Sequence, residues 1–357
     1  MYHHSTLHLF NPSHDEALAA HSPYYSPSKI AQKLASQWAL LPSLWANDGD
    51  AVYIPTNAEQ LLEAKVLQVN GKQIRLVQRS DMNPRFWQTI SQVQPWGWDA
   101  LVKHQLVKMN APTELLPTDE ALEQIRQLSS RQTTADVLPM LVDRLTAYAA
   151  LPMVGCSYIV DNWEELMQLV DDYGNVMVKS LWSCSGRGVF PLNAHPSASV
   201  VGRVHKLLQQ QGAIEVEPLY KGVTDFALEF DAKAKDGVTY RGLSLFRTTI
   251  RGGYMANVVQ PQEQLQAHLF SMFQPLQTGF DLLCKVCEQV LTVYFSKAAY
   301  CGPLGIDMML VQLPDGTTAL HPCIEVNVRR TMGYVACQLQ SLGVGEWQAD
   351  FPFSKEF

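Results

Sequence analysis

Two strongly apolar segments, Gly302-Pro303-Leu304-Gly305-Ile306-Asp307-Met308-Met309-Leu310-Val311 and Leu320-His321-Pro322-Cys323-Ile324-Glu325-Val326-Asn327-Val328-Arg329-Arg330, flank the turn Pro314-Asp315-Gly316, and each carries a carboxylate near its middle. Read as the arms of a β-hairpin, they bring Asp307 within about a residue of the position opposite Glu325. Alternation by two then puts Glu325 and Asn327 on one face. A charge in so apolar a pair of strands is costly unless something pairs with it. A divalent cation supplies that pairing, because hard cations take carboxylate and amide oxygens together. A salt bridge to Arg329 supplies it as well, and the strands alone do not decide between the two.

Two elements upstream carry related chemistry. The apolar segment Val176-Met177-Val178-Lys179 ends in a cation and is followed by Ser183-Cys184-Ser185-Gly186-Arg187-Gly188. Such a loop can present backbone N–H groups and hydroxyls to phosphates; a glycine-bearing hairpin turn reads the same way. Further on, Ile214-Glu215-Val216-Glu217-Pro218-Leu219-Tyr220 is an extended hinge, and Asp225 stands eight residues after Glu217. The hinge backbone could read an adenine edge and Asp225 a ribose hydroxyl pair. Two edge strands with solvated acids fit the same residues.

The rest of the chain bounds the setting. At 357 residues, 47% hydrophobic and 17% charged, it exceeds what one core usually supports and has apolar material for two or three subdomains. A formal net charge of -7 without a block of like charges gives no footprint for nucleic acid or an anionic membrane. No basic-then-apolar leader and no run of about 18 apolar residues is seen, so a cytoplasmic address is expected. The seven cysteines lack regular spacing, which fits reduced core thiols. Cys284 and Cys287 form a CxxC, but the apolar positions around them recur at helical spacing.

Strand, loop and helix alternate from the start: a strand over 7–10, a loop over 11–15, helices over 16–20 and 28–40, and strands over 51–54 and 73–77. Asn11, His14 and Asp15 follow the first strand, the usual place for a ligand in open α/β sheets, and a helix cap explains Asn11 and Asp15 equally well; Trp96 and Trp98 read as packing between domains ahead of a substrate-contacting loop. Helices are expected over 119–128, 136–150, 162–170 and 197–211. After residue 214 long strands follow, with turns at Asp236-Gly237, Gly252-Gly253 and Asp315-Gly316 and one helix over about 280–298.

In order and spacing these elements resemble the ATP-grasp superfamily, where a strand lysine, a mobile glycine loop, an adenine-contacting hinge, a ribose-binding acid and an acid/acid-x-asparagine metal site follow one another. The resemblance covers roughly residues 135–335. It is strongest at Ile324-Glu325-Val326-Asn327-Val328-Arg329, which looks like the metal-binding strand of relatives of biotin carboxylase and D-alanine:D-alanine ligase.

The resemblance implies an α/β protein, α+β in its C-terminal part: an N-terminal parallel α/β domain over 1–110, a connecting helical segment over 111–134, and a two-subdomain ATP-grasp fold. Its small subdomain with the phosphate loop spans 135–215 and its large subdomain with the metal site spans 216–357. The implied cofactors are ATP and Mg2+. Lys179, Ser185, Gly186, Gly188 and Arg144 fall at the phosphates, Glu217 and Leu219 at the adenine, Asp225 at the ribose, and Asp307, Glu325 and Asn327 at Mg2+. Arg329 and Arg330, with Lys179, are the implied catalytic cations. Two positions depart from the pattern. Arg144 stands where many members have a second phosphate-contacting lysine. Gly305 replaces an arginine common two residues before the first acid, which leaves Arg247, Arg251, Arg329 and Arg330 as candidates for that charge.

The implied reaction is ADP-forming carbon–nitrogen ligation. A small-molecule carboxylate attacks the γ-phosphoryl group of ATP, and an amine or similar nucleophile opens the resulting acyl phosphate. A phosphotransferase acting on a hydroxyl and a nucleotide-binding protein without turnover are the alternatives; Lys179, Asp307, Glu325 and Asn327, all present, speak against the last. No nucleic-acid or membrane partner is expected. A homodimer is compatible with the chain, and the sequence leaves the oligomeric state open.

Overall fold

The computed structural model describes residues 5–58, 65–148, 151–183, 188–233, 236–248, 254–296, 298, 300–341 and 353–354. Contacts divide the chain into two compact units, Met1–Arg126 with Ser341–Gly343 and Gln127–Gln340 with Val344–Phe357.

The first unit runs β1 (Ser5–Leu9), α1 (His14–Ala20), α2 (Lys29–Gln37), β2 (Ala51–Tyr53), β3 (Val66–Val69), β4 (Lys72–Val77), α3 (Pro84–Trp87), β5 (Ile90–Pro95) and α4 (Ala100–Lys108), and α5 (Asp119–Leu128) crosses the division. Its sheet has the order β3-β4-β2-β1-β5 and is parallel apart from the β3–β4 pair. The parallel α/β layer is the one expected, with β3 and β5 in addition. Asn70 and Gly71, both at positive φ, turn β3 back onto β4, the hairpin geometry that Asn-Gly favours.

Two expectations for this unit are corrected. Trp96 packs inside the unit: its ring lies edge-on to Phe10 at 5.0 Å and 6.2 Å from Trp45. Trp98 packs against the same unit's core. Asn11 is not a cap; its amide donates to the Gly97 carbonyl at 2.8 Å and to Asp99 at 3.1 Å. Asp99 in turn caps α4 through the Val102 N–H at 2.8 Å and holds His14 Nδ1 at 3.1 Å. Asp15 lies in the first turn of α1, where its charge suits the helix dipole.

In the second unit, α6 (Gln132–Tyr148) precedes β6 (Tyr158–Val160), α7 (Trp163–Tyr173), β7 (Asn175–Ser180), β8 (Val189–Asn193), α8 (Ala198–Gln211) and β9 (Ile214–Pro218). The four strands form a sheet of order β6-β9-β7-β8. Asn162 and Ser197 cap α7 and α8 with their side chains, and Gly174 and Gly212 end these helices at positive φ. A larger sheet follows, from β10 (Lys221–Lys233), β11 (Gly237–Thr248), β12 (Tyr254–Val258), α9 (Gln262–Met272), α10 (Pro275–Ser296), β13 (Gly302–Gln312), β14 (Thr318–Asn327), α11 (Met332–Ser341) and β15 (Phe353–Ser354). Its order is β14-β13-β10-β11-β12-β15, antiparallel except for β12–β15. The helix expected over about 280–298 is α10, which begins five residues earlier, and α9 is a further helix that was not expected. Proline opens both stretches, as N-cap Pro261 and as Pro275 at the first position of α10, where its missing N–H costs nothing. The expected turn at Gly252-Gly253 lies outside the described residues.

Strand alternation sorts the faces of the larger sheet. Phe226, Leu228 and Phe230 of β10 and Leu304, Ile306, Met308 and Leu310 of β13 join α6 and α10 in one core. Asp225, Glu229, Asp307, Glu325 and Asn327 occupy the other face. Cys284 and Cys287 are core residues of α10, and burial pushes both thiols up. Among the described residues no helix is long and apolar enough to cross a membrane.

The close approach at Gly97 is testable. A Cβ there would lie 2.5 Å from the His14 ring, which Asp99 keeps from moving aside. Gly97→Ala is expected to destabilise the protein by about 1–3 kcal/mol in guanidinium unfolding. Gly202→Ala on α8, with open space around it, is expected to stabilise by about 0.5–1 kcal/mol.

Candidate functional site

Asp307 of β13 stands directly opposite Glu325 of β14, and Gly305 opposite Asn327. The Asn327 amide donates to Asp307 Oδ2 at 3.2 Å. On the other flank of Asp307 the register partner is Ala227. Burial, then Glu325 and Glu229, raise the Asp307 carboxyl well above the ordinary carboxylate range. Two acids forced together beside an amide oxygen form the donor set a hard cation takes. Among the described residues no group of three His, Cys, Asp or Glu side chains could hold a metal unaided, so Asn327 and ligand oxygens would have to complete a shell.

A second cluster faces this pair from the smaller sheet. Lys179 on β7 is the register partner of Glu215 on β9, and Met177 of Glu217. Lys179 Nζ lies 2.9 Å from Glu217 Oε1 and 3.6 Å from Glu215 Oε2, and it donates to the Ile324 carbonyl of β14 at 3.2 Å. Burial works against its charge, but Glu215 and Glu217 outweigh it and lift the ammonium above its ordinary pKa. Burial, only partly offset by Lys179, pushes the Glu217 carboxyl up to about 7.

Arg131, just before α6, is a second buried cation at this cluster. Its Nη2 meets Glu325 Oε1 at 2.8 Å and its Nε lies 3.2 Å from Glu215 Oε2. Its Nη1 donates to the Ser180 carbonyl at 2.6 Å and to Ser183 Oγ at 2.8 Å. Ser157 Oγ donates to Glu215 Oε1 at 2.7 Å. His321 is fully buried, 4.0 Å from Glu217 Oε2. Burial and then Lys179 hold its pKa down at about 3, so it is neutral. The carboxylates and cations of two sheets thus meet in one desolvated seam.

No family model matches the sequence, and no curated protein matches it. Among solved structures, a biotin carboxylase from Campylobacter jejuni in complex with β-γ-ATP is similar at 11% identity with a TM-score of 0.50, over 94% of this chain and 67% of that one. A D-cycloserine synthetase is matched at 10% identity and TM-score 0.47, over 95% of this chain and 98% of that one. An N5-carboxyaminoimidazole synthetase from Staphylococcus aureus, complexed with ADP, is matched at 10% identity and TM-score 0.47, over 93% and 72%. The fold is similar to that of this biotin carboxylase.

Within this fold the expected residues are placed unevenly. Lys179, Glu217, Glu325, Asp307 and Asn327 are brought together. Asp225, paired with Met309, shares their face one side-chain repeat from Asp307, roughly 7 Å along β10; it accepts from Thr248 Oγ1 at 2.8 Å. Ser185, Gly186 and Arg251 lie outside the described residues. Gly188, at φ +76°, accepts from the Ser180 amide, and a Cβ there would strike Ser180 Oγ. Leu219 is exposed and its N–H already donates to the Asn175 carbonyl at 2.9 Å.

The arginines separate likewise. Arg144 lies more than three helical turns along α6 from its N-terminal end, roughly 20 Å away, and contacts Gln289 at 3.5 Å. Arg329 acts on the acids, since its charge offsets in small part the rise that burial imposes on the Asp307 and Glu229 carboxyls. Arg330 is buried with its guanidinium 5.8 Å over the Tyr334 ring. Arg247 is exposed, on the face opposite that of Phe246 by alternation. Gly305 has a reason of its own: a Cβ there would lie 2.8 Å from Glu229 Oε2. Sequence reasoning passed over Arg131, Glu215 and His321. A lone basic residue just before the first helix of this unit was the signal for Arg131. For Glu215, it was a second acid in phase with Glu217 on an apolar strand.

Glu229 gives a pH test of this acid face. It is fully buried and accepts from Thr331 Oγ1 at 2.7 Å and Ser244 Oγ at 3.2 Å, and burial pushes its carboxyl up to about 7. The folded chain therefore holds a proton that the unfolded chain loses near pH 4.3. Its stabilising contribution is full below that pH and is lost as pH rises through about 7. Glu229→Gln should flatten the decline in this window by up to about 1.4 kcal/mol per pH unit, read from urea unfolding at a series of pH values. An equally steep decline in the variant would assign the protons elsewhere.

Proposed function

We propose that the seam of the second unit binds ATP with Mg2+ and that the protein is an ADP-forming ligase, which activates a small-molecule carboxylate as an acyl phosphate and joins it to an amine. The observation that carries this reading is the register pairing of Asp307 with Glu325, with Asn327 on the same face and Lys179 reaching the same strand. Two half-buried acids kept side by side cost stability, and a site arranged at such cost is characteristic of function.

Asp307, Glu325 and Asn327 would hold the metal, which when bound supplies charge neutralisation on the phosphates. Lys179 would exchange Glu217 for phosphate oxygens and stabilise charge on the transferred group. Asp225 would accept from ribose hydroxyls. Arg329, acting on the same face, would orient the substrate carboxylate for in-line attack, and the low polarity around the seam would exclude water from the acyl phosphate. Leu219 and Arg144 have no part in this version, because one has its amide engaged and the other lies far along α6.

Isothermal titration with a non-hydrolysable ATP analogue tests it. Mg2+-dependent binding is expected in the wild type and its loss in Asp307→Ala, with turnover reduced about a hundredfold or more in Lys179→Met. No binding by a folded wild type would withdraw the proposal. Phosphate retained on the substrate instead of released would make the protein a phosphotransferase.

A further inference from the structure

The nucleotide reading above leaves the buried guanidinium beside Glu325 without a task. Arg131 is 5% exposed, and each of its arms is engaged. One arm holds a carboxylate assigned to the metal, and another holds Ser183, the stem of the phosphate loop.

The charges allow little independent movement. If a divalent cation took Glu325 alone, Arg131 would keep only Glu215, which lies 3.6 Å from Lys179 as well. Two buried cations would then share that carboxylate and Glu217, whose carboxyl burial already disfavours as an anion. If a polyphosphate drew Arg131 and Lys179 alone, Glu325 would lose its ion-pair partner and stand beside Asp307, with the more distant charge of Arg329 offsetting the pair only in part. Either event leaves a buried charge uncompensated, and such a charge costs far more than a complete pair. Arrival of both compensates every group.

We propose that Arg131 is a positioning residue that stands in for the metal: it holds Glu325 and the loop stem in the empty site and releases them only when divalent cation and nucleotide enter together. This rests on the nucleotide reading. Its consequence is strong coupling between the two ligands, of the order of the 5- to 150-fold typical between linked sites.

Mn2+ titration followed by electron paramagnetic resonance, with and without a non-hydrolysable ATP analogue, reads that coupling directly. Wild type is expected to bind Mn2+ weakly alone and much more tightly with the analogue. Arg131→Met, confirmed as folded by circular dichroism, is expected to bind nucleotide-free Mn2+ about tenfold or more tightly than wild type and to lose most of the coupling. A merely structural role predicts weaker binding in that variant, not stronger. Arg131→Lys keeps the charge without the fork and should fall between the two; with the wild-type coupling it decides the matter if the methionine variant does not fold. Equal Mn2+ affinity with and without analogue, or no gain in either variant, overturns the proposal while leaving the nucleotide site standing. No Mn2+ binding even with the analogue overturns both.

Discussion

The Arg131 guanidinium touches the end of β7, the loop stem at Ser183, β9 and β14, and these belong to two different sheets. Ion pairs taken out of water hold only when every charge is met, since the solvation they give up is repaid by completeness and not by any one contact. Ser157 on Glu215, Lys179 on Glu217 and Arg131 on Glu325 are therefore one arrangement. The relation of the smaller sheet to β14 follows from it, as does the spacing of Lys179 from the Asp307–Glu325 pair.

The larger sheet makes that arrangement possible by separating its faces. The aliphatic and aromatic side chains of β10 and β13 go to α6 and α10, so the opposite face is free to collect carboxylates without disturbing the core. Glycines then set how closely they gather. At Gly305 and Gly333 a Cβ would collide with Glu229, so that acid can lie flat against its neighbours, with Thr331 and Ser244 as donors.

How much of this was legible in the sequence depended on how local each signal was. The hairpin through Asp315-Gly316 is short-range, and its acids are opposite each other as alternation implied. Helices with polar N-caps and terminal glycines, such as α7 and α8, were readable for the same reason. The helix α9 was not, because it opens on Pro261 with no side-chain cap to announce it and follows directly on a run of strands. Trp96 was misjudged because its partners Phe10 and Trp45 are distant in sequence. Arg131 was missed because its partner Glu325 is 194 residues away, and nothing in either neighbourhood announces the other. The likeness of the fold to a solved biotin carboxylase at 11% identity makes the same point: backbone architecture can be shared while the pairings that give a site its chemistry must be found in space.

The pair β12–β15 has a consequence of a different kind. Phe353 and Ser354 run parallel to Asn257 and Val258 and so occupy the hydrogen-bonding rim of a large, otherwise antiparallel sheet. A rim left bare invites strands from other molecules. Phe353 and Ser354 thus act as a fender along this stretch of the rim, and the colloidal behaviour of the protein in concentrated solution is tied to them.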